Sequence, residues 1–199
     1  MLLMKYSTKD LTMTALCTAV LCVLAPISVP LPGGVPVSLA TFAVALAGGL
    51  LGAKLGGLTV LLYLLIGALG VPVFAGYTAG PSHFVSPASG YLFGYIFLSV
   101  ITGAIYFRTG RNRTGAGKYA ALFLAELAGE VVLYVFGTIW FMHLMGLKGN
   151  AEMASLGGAL GACVIPFIPG DLLKMLAVVV IVPAVEKALN AAGFRQIAA

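Results

Sequence analysis

Asp171 and Lys174 stand three residues apart where the last strongly hydrophobic run of the chain opens, in Pro166-Phe167-Ile168-Pro169-Gly170-Asp171-Leu172-Leu173-Lys174. On a helix that spacing puts both side chains on one face. Each charge costs about 2.5–3.5 kcal/mol at the centre of a membrane helix, so the pair asks for an explanation. The chemistry it offers is recognition: the carboxylate accepts from N–H donors, and the ammonium donates to a carbonyl or carboxylate. A structural explanation stands beside it. Pro169 suits a first helical position, an acid in the first turn is stabilised by the helix dipole, and Lys174 can snorkel outward.

Glu126 and Glu130 form a second unusual pair, one helical turn apart, with Tyr134 continuing their face. They could pair with cations, reach a partner on the cytoplasmic side, bind protons as the relay of a channel or carrier, or serve an intramembrane hydrolase. For hydrolysis the obvious partner is His143, but it lies 13 residues beyond Glu130, about 20 Å along a straight helix. That is poor geometry for a metal site, and the other histidine, His83, falls in a loop. Trp140 reads first as an interface anchor. The three cysteines, Cys17, Cys22 and Cys163, lack metal-ligand spacing and lie in apolar surroundings, so neither a zinc nor a redox site is expected.

The elements that must carry these residues are membrane helices. The 199-residue chain is 61% hydrophobic and 9% charged, against about 25% charged in soluble domains, and its mean hydropathy is +1.08. The net charge of +5 comes without a basic cluster backed by stacking aromatics, so nucleic acid is not an expected partner. Lys5 and Lys9 precede the first apolar run, but no small-residue cleavage site follows, and this run is expected to stay as a helix.

Hydrophobic runs predict six spans, near residues 11–29, 37–53, 55–74, 91–107, 119–145 and 169–189, in a single all-α membrane domain. The first carries Ala15 and Ala19 four apart, a small-residue face on which another helix can pack. Two irregular segments interrupt the spans. Pro26 to Pro36 holds four prolines and two glycines and reads as an apolar lid. Ala75 to Gly90 is rich in glycine and hydroxyls and offers a hydrogen-bonding wall. A tight turn near Lys54 separates the second and third spans.

The loop from Arg108 to Lys118 carries four cations and belongs in the cytoplasm. Its glycines do not form a phosphate-binding pattern. With six spans both termini fall on that side, and so do 9 of the 11 cations: Lys5, Lys9, Lys54, Arg108, Arg111, Arg113, Lys118, Lys187 and Arg195. Treating 151–165 as a seventh span would throw the C-terminal cations outside. The two irregular segments and the start of the last helix then converge on one outward-facing cavity.

Phe167-Ile-Pro-Gly-Asp-Leu-Leu-Lys174, Gly70-Val-Pro-Val-Phe-Ala-Gly76, Pro87-Ala-Ser-Gly-Tyr91 and Phe136-Gly-Thr-Ile-Trp140 together resemble the BioY family, over nearly the whole chain. These are the biotin-binding S components of energy-coupling-factor (ECF) vitamin transporters. The resemblance implies a multi-pass protein of the cell membrane, not an enzyme, that captures biotin from outside without a cofactor of its own. Its implied partners are a transmembrane T component, docked through Ala15 and Ala19, and two ABC-type ATPases.

In that setting Asp171 accepts from the ureido N–H groups of biotin, and Lys174 donates to the ureido carbonyl or neutralises a carboxylate. Thr78 adds a hydrogen bond, and Tyr77, Tyr91, Tyr134 and Trp140 are expected as apolar walls. The chain departs from the family pattern in three places: Gly76-Tyr-Thr-Ala-Gly80, Ala40 before Thr41, and Ser86-Pro-Ala-Ser-Gly90. A different vitamin as ligand stays open.

Overall fold

The computed structural model describes residues 7–31 and 35–192. Lys5, Arg195 and the Pro32-Gly33-Gly34 centre of the expected lid lie outside the described residues. Helix α1, Thr8–Leu24, starts in a capping box: the Ser7 hydroxyl accepts from the Asp10 amide at 3.2 Å, and the Asp10 carboxylate accepts from the Ser7 amide at 3.0 Å. The helix stops at Leu24, short of the expected residue 29, with Ala25 as its C-cap and Pro26 next.

The chain here is not wholly irregular or wholly α. Strand β1, Ser28–Val29, pairs antiparallel with β2, Val37–Ser38, in the register Ser28 to Ser38 and Val29 to Val37. This ribbon ties the two ends of the proline-rich segment together, and it delays the next helix to Ala40.

Helix α2, Ala40–Ala68, contains the expected second and third spans. Gly52 breaks it with φ +76° and ψ −178°, a left-handed conformation that favours glycine. The break is a reversal. A Cβ placed on Gly56 would come within 3.0 Å of the Gly48 Cα, whereas eight residues of straight helix span about 12 Å. Residues 40–51 and 53–68 therefore run back along each other. The turn falls two residues before Lys54, at the residue that can hold the backbone angle.

Helix α3, Ser89–Thr109, packs into that elbow. A Cβ on Gly103 would lie 2.5 Å from both the Ala53 nitrogen and the Gly52 carbonyl carbon. Gly103→Val should therefore destabilise the protein by about 3 kcal/mol or more, since neither contact can yield without moving backbone. Thermal unfolding followed by size-exclusion chromatography would show it. Gly157→Ala, where an added Cβ meets nothing within 4 Å, is the control.

Helix α4, Ala116–Leu147, is followed by the short α5, Ala151–Ala154, and α6, Leu156–Cys163. At about 1.5 Å per residue neither short helix can cross a bilayer. Helix α7, Ile168–Ala191, closes the bundle against α2 and α4. At its far end Glu186 receives the Tyr106 hydroxyl at 3.0 Å and pairs with Lys118 at 2.7 Å and Arg111 at 3.6 Å. The Arg111 guanidinium also lies 4.1 Å from the Phe107 ring centroid. The basic loop is thus fastened to α7.

Among the described residues four helices are long and apolar enough to cross a membrane: α2, α3, α4 and α7. The difference from six has two physical sources. Two expected spans lie in the folded-back α2, and α1 has 17 residues. Leu124, Val131, Val135 and Ile139 on α4 and Leu173, Leu176 and Val180 on α7 are exposed, the arrangement of helices that face lipid. The chain is a helical, multi-pass membrane protein.

Candidate functional site

The end of the bundle opposite the basic loop is built from the ribbon, the 69–88 segment and the first turns of α2, α3 and α7. Here Phe74 and Thr78 form an isolated antiparallel bridge, and the Gly76 amide donates to the Pro26 carbonyl at 3.0 Å, so the two irregular segments hold one another. Between them lies a cavity of about 410 Å³, lined by residues including Pro30, Val35, Phe74, Thr78, His83, Ser86, Tyr91 and Tyr95. That is a small-molecule volume; such pockets run to roughly 300–1,000 Å³.

Tyr91 and Tyr95, with Val35 and Pro36, also border a smaller cavity of about 30 Å³, whose other walls include Ser38, Thr41, Tyr134, Asp171 and Lys174. The charged pair therefore forms the inner floor of the site. Lys174 Nζ lies 2.5 Å from Asp171 Oδ1 and donates to the Ser38 carbonyl and Thr41 Oγ1, both at 2.8 Å. Thr41 donates to Asp171 Oδ1 at 3.1 Å, and the Tyr134 hydroxyl donates to Asp171 Oδ2.

Two consequences follow from this geometry. Lys174 points inward, with its side chain 11% exposed, rather than snorkelling to the surface. Asp171 does lie in the first turn of α7, and its carboxylate also accepts from Thr41 of α2 and Tyr134 of α4. Both charges are fully partnered, so a ligand must offer matching donors and acceptors to take their place.

The other expected site residues divide. Tyr134 and Tyr91 join the charged floor, with the Tyr91 hydroxyl 3.1 Å from Thr138 Oγ1. Thr78 sits on the opposite wall of the large cavity, its hydroxyl donating to the Ala75 carbonyl at 2.9 Å. Tyr77 is 68% exposed, holds φ +59°, and lines neither cavity. Trp140 lines neither: its indole donates to Ser89 Oγ at 2.7 Å and its ring stacks on Phe136.

Ser38, Thr41 and Tyr95 enter the site unannounced by spacing. In the sequence Thr41 is marked only through the family pattern, by the Ala40 before it, and Ser38 by nothing. His83 turns into the cavity against Phe74, with ring centroids 5.2 Å apart. Ala15 and Ala19 lie exposed on the outer face of α1. Glu126 and Glu130 are buried, whereas His143 is exposed, so the three do not assemble as a hydrolytic centre. No cluster of three potential metal ligands occurs among the described residues.

Residues 3–191 match the model of the BioY family. The "Biotin transporter BioY" of Rhodobacter capsulatus is 38% identical over 151 residues, covering 75% of this chain and 77% of that protein. The protein of the same name from Rhizobium etli is 37% identical over 174 residues, covering 84% and 88%. The fold matches a crystal structure described as the S-component for biotin from an ECF-type ABC transporter, with TM-score 0.73, 29% identity and coverage of 90% and 91% of the two chains.

Proposed function

This chain belongs to the BioY family, and from that premise we propose that it is a substrate-capture subunit that binds biotin in the Tyr91–Asp171 cavity. It delivers the vitamin to an energised import complex and is a transporter component rather than an enzyme. The observation that carries this reading is the partnered Asp171–Lys174 pair at the floor of a cavity of ligand size. Biotin's ureido ring has two N–H donors and one carbonyl, which suit a carboxylate and an ammonium side by side. Its apolar sulfur ring suits Tyr91, Tyr95, Val35 and Pro36, and its tail points toward Thr78, Ser86 and His83.

In this proposal the protein crosses the cell membrane six times, with α1, both arms of α2, α3, α4 and α7 as the spans. The reversal at Gly52 supports counting α2 twice. The basic loop, Lys54 and both termini then lie in the cytoplasm by the positive-inside rule, and the cavity opens outward. Energy comes from a T component and two ABC-type ATPases, with Ala15 and Ala19 as the docking face. Tyr77 and Trp140 are assigned to shaping the surrounding loop and helix ends rather than to touching the vitamin.

The test is a titration of detergent-solubilised protein with biotin, riboflavin and thiamine. Saturable binding of biotin with one site per chain, and none of the other two, is the expected result. Saturable riboflavin or thiamine binding without biotin binding would overturn the ligand while leaving the family intact.

A further inference from the structure

Directly beneath Asp171 and Lys174 lies a third cavity, of about 10 Å³, shared by Thr41, Asp171 and Lys174 above and by Glu126 and Glu130 below. That is about the smallest volume that holds one water. Glu126 is 1% exposed and Glu130 5% exposed; among the described residues neither carboxylate oxygen of Glu126 has a hydrogen-bond partner, and Glu130 Oε1 has none. Buried polar atoms are ordinarily satisfied, and an ionised carboxylate isolated from water and lipid headgroups is costly.

The groups facing this space can be counted. Helix α4 supplies Glu126 and Glu130, and α7 supplies Asp171 and Lys174; Tyr134 of α4 and Tyr95 of α3 border the adjoining pocket above the charged pair. From α2 come Thr41, Phe42 and Ala45, none of which titrates. Three carboxyl groups thus face a single ammonium, and that ammonium is already bonded to Asp171. At about 10 Å³ the cavity is too small for a hydrated metal ion, and the Lys174 ammonium already stands beside it.

We propose that Glu126 and Glu130 form a buried proton-binding site, bridged by one water to the Asp171–Lys174 pair, and that ligand capture is linked to its occupancy. Resting on the vitamin reading above, the direction of the linkage is set by Lys174. When Lys174 turns from Asp171 and Thr41 toward the ligand, the glutamates lose the cation above them. Protons on the pair then become more necessary, so the liganded state holds more protons than the free one. Affinity consequently falls as pH rises through the range in which the pair empties, by up to about tenfold per pH unit for each proton taken up.

Two measurements test this on the full-length protein in detergent or nanodiscs. Infrared spectra of the ligand-free protein should show the carbonyl stretch of a protonated carboxylic acid at neutral pH, shifting in heavy water. The band should be halved in Glu126→Gln or Glu130→Gln and absent in the double variant. Absence of the band in wild type, its persistence in the double variant, or its appearance only when sodium is withdrawn would overturn the proton site. Calorimetric biotin titrations in two buffers of different ionisation enthalpy should then show net proton uptake at mildly alkaline pH in wild type and none in the double variant. Equal, buffer-independent heats in wild type would overturn the linkage. Failure of biotin to bind at all would instead defeat the vitamin reading, and the infrared band would still decide the site.

Discussion

Asp171→Asn should weaken biotin binding by about a hundredfold, and Lys174→Met by a similar factor. Asparagine keeps the shape of the side chain but removes the charge that accepts from Tyr134, Thr41 and Lys174. Hydrogen bonds to a charged group contribute about 1.5–3 kcal/mol each, against about 1.4 kcal/mol per tenfold in affinity. One such bond to the ureido ring, lost with nothing in its place, accounts for the expected factor. Stability should respond differently from binding, and this separates the two roles of the pair. Either single change strands the other charge in a site where its side chain is about a tenth exposed or less. Breaking a buried pair costs about 3–5 kcal/mol.

The double variant Asp171→Asn/Lys174→Met strands no charge, so its melting temperature should recover much of the loss while biotin binding stays as weak as in the singles. A double variant that folds normally and binds biotin like wild type would show that the pair only holds α7 to α2. The cavity would then lose its assigned ligand-recognising floor.

How much of this was readable beforehand depended on distance along the chain. Asp171 and Lys174 announce themselves because two charges three residues apart inside an apolar run violate hydropathy locally. Tyr134 was legible for a related reason, as the continuation of a helical face already marked by Glu126 and Glu130. Thr41 and Ser38 were not. Their importance arises from contacts spanning 130 and 136 residues, Thr41 to Asp171 and Lys174 to Ser38, and no periodicity encodes such pairings.

The same limit explains the helix ends. Periodicity carried the first helix on toward Val29, but pairing of Ser28–Val29 with Val37–Ser38, a tertiary choice, withdrew those residues into a ribbon. The reversal between the second and third runs was legible near Lys54 from glycine and charge. Its placement at Gly52 depends on which glycine must take a positive φ, and that is settled by the packing of Phe107 and Gly103 against the elbow. Trp140 shows the opposite case. A tryptophan near a helix end suits both an interface anchor and a ligand wall, and only its bond to Ser89 and its stack on Phe136 separate it from the cavity.

Ala15→Leu/Ala19→Leu should abolish biotin uptake by cells, a fall of more than about tenfold, while leaving biotin affinity of the purified protein unchanged. The two faces of α1 make the separation possible. Met13, Thr14, Cys17, Thr18 and Leu21 are buried, and Thr18 reaches the Thr59 carbonyl at 3.5 Å, so that face belongs to the bundle. Ala15 and Ala19 lie on the other face with Leu16 and Val23, all of them exposed. Leucine is at home in lipid and keeps helix propensity, so neither insertion nor folding should suffer. It would, however, hold a partner helix several ångströms away from the backbone approach that small residues permit. Radiolabelled uptake in cells supplying the T component and ATPases, paired with co-purification of those subunits, reads the effect directly. Full uptake by the double variant would move the docking surface elsewhere on the bundle, with the lipid-facing side of α7 as the next to test.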